Sequence, residues 1–265
     1  VRQTIGKTID ASDSSKTITF LDKVCESKIQ PYIDKCYNEL ARYTNAYAQK
    51  MIMKREALCD KGIWTAKKHY VLNVYNNEGI AYKTPQVKIM GLDMIKSSTP
   101  SACRVKLKEA LDVILSKSET DMIEFIEKFR KEFKKLPVAD IAFPRGVNGV
   151  NEYTDKETSS PKKGTPIHVR GSIMYNNSIK KHKLHKKYPM IMEGEKIKFI
   201  YLKEPNTIQS NIISFHQILP VEFDLNKYID YDIQFNKSFL EPLKTLLDSI
   251  GWKTEQVNTL EAFFS

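Results

Sequence analysis

Between residues 17 and 50, apolar side chains recur at helical spacing through Leu21, Val24, Ile29, Ile33, Tyr37, Leu40 and Tyr47. The period predicts a long helix or a helix pair. Pro31 should kink or break it near Gln30, because proline has no N–H to donate and its ring crowds the preceding turn. The pattern then shortens. The runs "MIMKREALC" (51–59) and "WTAKKHYVLNVYNNEGIAYK" (64–83) read as strands, with "NNEG" at 76–79 as a hairpin turn. A helical element followed by antiparallel strands predicts an α+β fold.

Helical spacing returns after residue 95. In "KSSTPSACRVKLKEALDVILSK", Thr99 can cap a helix and Pro100 suits its first position. A second helix follows in "SETDMIEFIEKFRKEFKKLP", where Ser118 and Asp121 make a capping pattern and Ile126, Phe129, Phe133 and Leu136 form one apolar face. Pro137 stops it. From Pro144 to Pro166, Gly, Asn, Ser and Lys predominate, which reads as a long exposed loop. "EGEKIKFIYLK" is strand-like, and "KSFLEPLKTLLDSIGW" reads as a closing helix that ends near Gly251. The expected organisation is one domain over 1–95, a mainly helical one with a small β element over 96–252, and a flexible tail over 253–265.

Charge narrows the class of partner. Forty-two Lys and Arg against 32 Asp and Glu give a net charge of +10. That asymmetry favours a polyanion such as nucleic acid or an acidic membrane face. Cys25, Cys36, Cys59 and Cys103 show no Cys-x-x-Cys spacing and read as small hydrophobes in a reducing compartment, with no disulfide. No apolar run approaches the roughly 20 residues that cross a bilayer, and the N-terminal stretch has no signal-peptide core, so a cytoplasmic protein without a membrane partner is expected. The sequence opens on Val1 rather than Met. The expected explanation is a processed or trimmed start, or a piece of a longer reading frame.

Several local patterns, in order, carry a resemblance. "KREALC" is followed by "WTAKKHYVLNVY", then "KIMGLDMIKSSTP", "PIHVRGSIMYNN", "EGEKIKFIYLK" and "YIDYDIQFNKSFLEPLKTLLDSIGW". Together, from about Phe20 onward, they resemble the end of the palm and the thumb of a family B replicative DNA polymerase of the T-even-like tailed-phage type. Against the family's Lys-Lys-Arg-Tyr motif, His69 stands in place of Arg. Family members carry an Asp-Thr-Asp-Ser turn upstream of this region and a further metal-binding Asp before that; neither is present here. The resemblance therefore implies a C-terminal polymerase portion that completes its enzyme with an N-terminal half carrying the catalytic aspartates and their Mg2+ ions. It also implies that this chain alone is inactive and holds no metal. A non-enzymatic DNA-binding or sliding-clamp-associated accessory protein is the alternative. For a phage-encoded chain, the location would be the host cytoplasm.

Individual roles follow from the same resemblance. Lys67, Lys68, His69 and Tyr70 would lie on a palm strand against primer-template DNA, with Lys68 and Tyr70 testing base-pair geometry in the minor groove. A solvated strand face is the ordinary reading of the two lysines. Glu56 would be an accessory carboxylate acting outside the metal's own ligands; otherwise it is an exposed Glu paired with Arg55, Lys54 or another cation. Lys88, Gly91, Ser98 and Thr99, with Lys96 and Ser97, join charge and hydroxyls to a helix start, where backbone N–H groups favour phosphate. His168, Arg170, Gly171, Tyr175 and Asn176 would touch the primer-template backbone. Gly171 is explained either by a close backbone approach or by a turn. The basic run "KKHKLHKKY" (180–188) reads as a loop near the duplex or as solvated charge, its His-x-x-His spacing being a poor metal signal. In the tail, Leu260, Phe263 and Phe264 share one helical face and resemble a clamp-binding peptide.

Overall fold

The computed structural model describes residues 14–255. These divide into two compact units, with the boundary between Met90 and Gly91. Both contribute to an α+β fold of helices and two small antiparallel sheets.

In the first unit, α1 (Ser14–Val24) runs through a π-helical turn, Cys25–Ile29, into α2 (Gln30–Tyr43). The expected break at Pro31 does not occur. Instead the helix widens just ahead of the proline: the Gln30 N–H reaches back to the Cys25 carbonyl, and Pro31 sits in the first turn of α2, where a missing N–H costs least. Residues 51–56 are not strand, contrary to the expectation for "MIMKREALC". The sheet starts at β1 (Ala57–Ala66) and continues antiparallel through β2 (His69–Asn77) and β3 (Ile80–Met90), in the order β1-β2-β3. The β2–β3 turn is Glu78–Gly79, both left-handed (φ 52° and 90°), as short hairpins of this kind require. Asn76, buried, holds that turn by accepting from the Gly79 N–H at 3.0 Å and from Arg55 at the same distance. Only Ile63, Val71 and Val74 form a buried apolar core among the described residues of this unit.

The second unit is far better packed. Helices α3 (Ser101–Ser116) and α4 (Glu119–Phe133) meet a C-terminal helix made of α8 (Tyr231–Phe235), a π-helical turn Asn236–Leu240, and α9 (Glu241–Ile250). Pro242 follows this π turn at the same offset as Pro31 follows the first. Phe129, Phe133, Phe235 and Phe239 interlock at centroid distances of 4.7 to 5.7 Å, mostly edge to face. The Ser118–Asp121 capping box forms as the sequence suggests. Thr99, by contrast, is not a cap. Pro100 takes the N-cap position of α3 with no side-chain bond, and Thr99 is buried.

Residues 144–166 are loop only in part: 155–166 are irregular and mostly exposed, as expected, whereas 144–153 are built into the fold. After the short α5 (Val138–Ile141), β4 (Phe143–Gly146) joins β5 (Lys196–Tyr201) and β6 (Ile212–Phe215) in an antiparallel sheet, β4-β5-β6. Val147 and Val150 are buried, α6 (Val150–Tyr153) follows, and Thr154 bridges to Pro161. The sheet packs under α7 (Ile167–Lys181).

Candidate nucleic-acid interface

In the first unit, the lysine pair does not lie within a strand. Ala66 pairs with His69, so Lys67 and Lys68 form the tight turn between β1 and β2, and both are exposed. Lys68 is left-handed, with φ 63°, where hairpins ordinarily place Gly or Asn. The expected strand position of the two lysines is therefore wrong, because the chain reverses there. Both ammonium groups project from the hairpin tip. His69 closes the turn: its Nδ1–H donates to the Lys67 carbonyl at 2.9 Å. Tyr70 stands beside the tip, half-buried and paired across the sheet with Trp64 and Met90.

Glu56 and Lys88, assigned separately to metal and DNA, meet each other in an ion pair, and Lys88 also reaches Asn77 Oδ1 at 3.3 Å. The hydrogen bond to Glu56 holds the Lys88 ammonium above its ordinary pKa. Arg55 pairs instead with Asp22. The ion-paired reading of Glu56 is thus the one seen, with Lys88 as its cation.

The second unit gathers a different cationic surface. Gly91, left-handed at φ 70°, begins this unit. Ser98 offers its carbonyl to Arg145 Nη1 at 3.1 Å. The Arg145 charge also acts on His168, whose pKa is lowered first by burial and then by that guanidinium. Arg170 donates to Asn211 Oδ1 at 2.7 Å. Arg145 was missed in the sequence because it sits in a stretch read as loop; its placement follows from Pro144 and Arg145 being strand residues paired with Lys198 and Ile197. So Ser98, Arg145 and His168 come together, while Arg170, also in the first turns of α7, is held by Asn211.

The rest of the expected thumb contacts are structural. Gly171 is buried in α7, and a Cβ there would lie 2.5 Å from Ser214 Oγ and 2.9 Å from its backbone nitrogen. Neither a turn nor an approach to DNA explains it; the glycine lets α7 touch β6. Tyr175 is buried, donates to the Pro189 carbonyl at 3.3 Å, and has its hydroxyl pKa pushed up to about 12 by burial. Asn176, also buried, exchanges hydrogen bonds with the backbone of Ile191 at 2.9 and 2.8 Å. Thr99 is likewise too buried to serve as a phosphate donor. Leu260, Phe263 and Phe264 lie outside the described residues. Among the described residues, no helix is long and apolar enough to cross a membrane.

The first unit thus carries the exposed pair Lys67 and Lys68, and the second the half-buried Arg145 and Arg170. Comparison with known proteins shows what the chain is similar to: part of the DNA-directed DNA polymerases of two phages, as its motifs suggest. It is 31% identical over 264 residues to the DNA-directed DNA polymerase of Enterobacteria phage T4, covering 95% of this chain and 29% of that protein. Against the DNA-directed DNA polymerase of Escherichia phage RB69 it is 34% identical over 244 residues, 88% of this chain and 26% of the relative. The chain thus spans less than a third of the length of these relatives. No protein-family model matches it.

Proposed function

We propose that this chain is the C-terminal palm and thumb portion of a DNA-directed DNA polymerase, gripping primer-template DNA and completing its enzyme with an N-terminal half. The observation that carries this reading is similarity to two phage polymerases along nearly the whole chain. The Lys67–Lys68 tip, Arg145 and Arg170 supply positive charge without base-specific geometry, as a non-specific polymerase grip requires. The catalytic aspartates and the Mg2+ they hold belong to the N-terminal half, since the Asp-Thr-Asp-Ser turn is absent here. Isolated, the chain is inactive. Leu260, Phe263 and Phe264 then tether the enzyme to a sliding clamp, raising its effective concentration at the primer end.

Primer extension and fluorescence anisotropy test this. The chain alone should bind a primer-template duplex without sequence preference, with an affinity that falls steeply as salt rises, and should not extend the primer. Adding the N-terminal half with Mg2+ and nucleotides should restore extension. Arg145→Gln should lower the log–log salt slope by about one. Salt-independent binding, or synthesis by the chain alone, would refute the reading. Removing Leu260 to Ser265 should abolish clamp capture and leave duplex affinity unchanged.

A further inference from the structure

A groove runs along one side of α7 in the second unit. Arg170, Met174, Asn177 and Lys181 recur at spacings of four, three and four, so they share one face of that helix. Residues 204–211 form the opposite wall. Between the two walls lie two hollows of about 270 and 330 Å³, which meet at Met174, Ile208 and Gln209. Arg170 and Asn211 line the first, Lys181 and Thr207 the second. The two cations are eleven residues apart, a distance of about 16 Å along the axis at about 1.5 Å per residue.

Both walls are held in shape. Asn206 pins its loop from inside: its side-chain nitrogen donates to the carbonyls of Lys203 and Ser210 at 2.7 and 2.8 Å, and its oxygen accepts from the Ile208 N–H at 3.1 Å. On the helix side, Asn177 donates to the Ser159 carbonyl at 2.7 Å and so ties α7 to the segment before it. The charges, by contrast, are under-used. Arg170 donates to Asn211, but its buried Nε has no partner among the described residues. Lys181 is exposed, and its ammonium group has no carboxylate partner among them. Glu204, at the Arg170 end, is the one carboxylate on the lining of the two hollows. Past Lys181 the basic run continues through Lys183 and Lys186, both exposed.

Two cations at the ends of a narrow channel, with amides and hydroxyls between them, suit an anion that is long, thin and charged along its length. A single nucleic-acid strand has that form, and the channel takes in roughly five nucleotides at about 3.4 Å each. No aromatic side chain lines either hollow, so the hold falls on phosphates rather than on stacked bases and carries no sequence preference. We infer that this groove is a binding site for single-stranded nucleic acid, with Arg170 and Lys181 neutralising phosphates at its two ends. The choice of nucleic acid over an acidic peptide rests on the polymerase reading; the site itself is separate from the duplex grip at Lys67 and Lys68.

The test is fluorescence anisotropy of the full chain with a labelled oligothymidylate of about eight nucleotides, and separately with a blunt duplex. Wild type is compared with a Lys181→Glu, Thr207→Glu variant and with a Lys128→Glu, Lys244→Gln control that changes net charge equally on α4 and α9. All four positions are exposed, so thermal melts should match. The expected result is salt-sensitive binding of the single strand by wild type and control, and binding at least about tenfold weaker by the groove variant, whose duplex affinity moves less than about threefold. Equal single-strand binding by groove variant and wild type would overturn the inference, as would no binding by wild type or an equal loss in the control. Displacement of the oligonucleotide by oligoglutamate of the same length at lower concentration would also overturn it, because the occupant would then be an acidic peptide. Primer extension with the N-terminal half added separates the two claims. Duplex binding and extension without any groove effect leave the polymerase reading standing and remove this site. Groove-dependent single-strand binding without duplex binding or extension does the reverse.

Discussion

Lys68 costs the fold something that a glycine would not. Its left-handed backbone is disfavoured by roughly 1–2 kcal/mol for an L residue, against roughly 0.5–1 kcal/mol of extra chain entropy lost by glycine. Lys68→Gly should therefore stabilise the chain by about 0.5–1 kcal/mol in denaturant melts while lowering the salt slope of duplex binding by about 0.9. A variant that is more stable and binds equally well would show that the charge at the hairpin tip has no part in holding DNA. His168 makes a second residue-scale prediction. Burial and Arg145 lower its folded pKa below the ordinary value of about 6.5, so the unfolded chain binds the proton more readily. Stability is then complete above about pH 6.5 and declines as pH falls toward the folded value. Asp121, Asp155, Glu195 and Glu222, all lowered chiefly by hydrogen bonds, add a further loss below about pH 4. Melting temperatures from pH 8 to 3 should show both steps, and His168→Gln should remove only the upper one.

At the level of elements, the sequence was most legible where periodicity and end signals agreed. Ser118, Asp121 and the Ile126–Phe129–Phe133 face specify α4 without outside help. The lysine turn was missed because Ala66-Lys-Lys-His carries none of the Gly or Asn that announce a hairpin, while apolar alternation resumes on both sides of it. Residues 144–153 depart from the loop reading because composition says nothing of Val147 and Val150 anchoring an irregular path. The candidate site was legible as motifs but not as surface. Whether Tyr175 or Arg170 faces outward depends on how α7 rolls against β6, a contact made by Gly171 and Ser214 that are 43 positions apart, and no local pattern encodes it. Neither π turn was foreseen, although both precede a proline. The second keeps Phe235, Phe239 and Leu243 on one buried line despite spacings of four, which in a pure α-helix would drift about 40° each. Deleting exposed Lys237 shortens the Phe235–Phe239–Leu243 spacings to three and four, which a plain α-helix holds on one face. The π turn should then be lost, while Leu243, Leu246 and Leu247 stay in the core and chemical melts move little. Lys237→Ala should stay within about 0.5 kcal/mol.

For the whole molecule, the two units differ sharply in how much they bury: Ile63, Val71 and Val74 on one side, and the Phe129–Phe239 cluster with its surrounding leucines on the other. Cooperative unfolding scales with such burial, so the chain should not melt as one body. Calorimetry of the free protein should resolve a weak early transition and a strong later one. Trypsin offers a plainer readout. Lys28, Lys35, Arg42, Lys50 and Lys54 line the least buried segment, and cutting there needs only local opening. Brief digestion should erase the N-terminal third within minutes and leave a resistant fragment that begins near Gly91. In a cell, a chain with so short-lived an end would be a ready target for proteases until something covers it. Its abundance would then be set less by how much is made than by how soon that end is shielded.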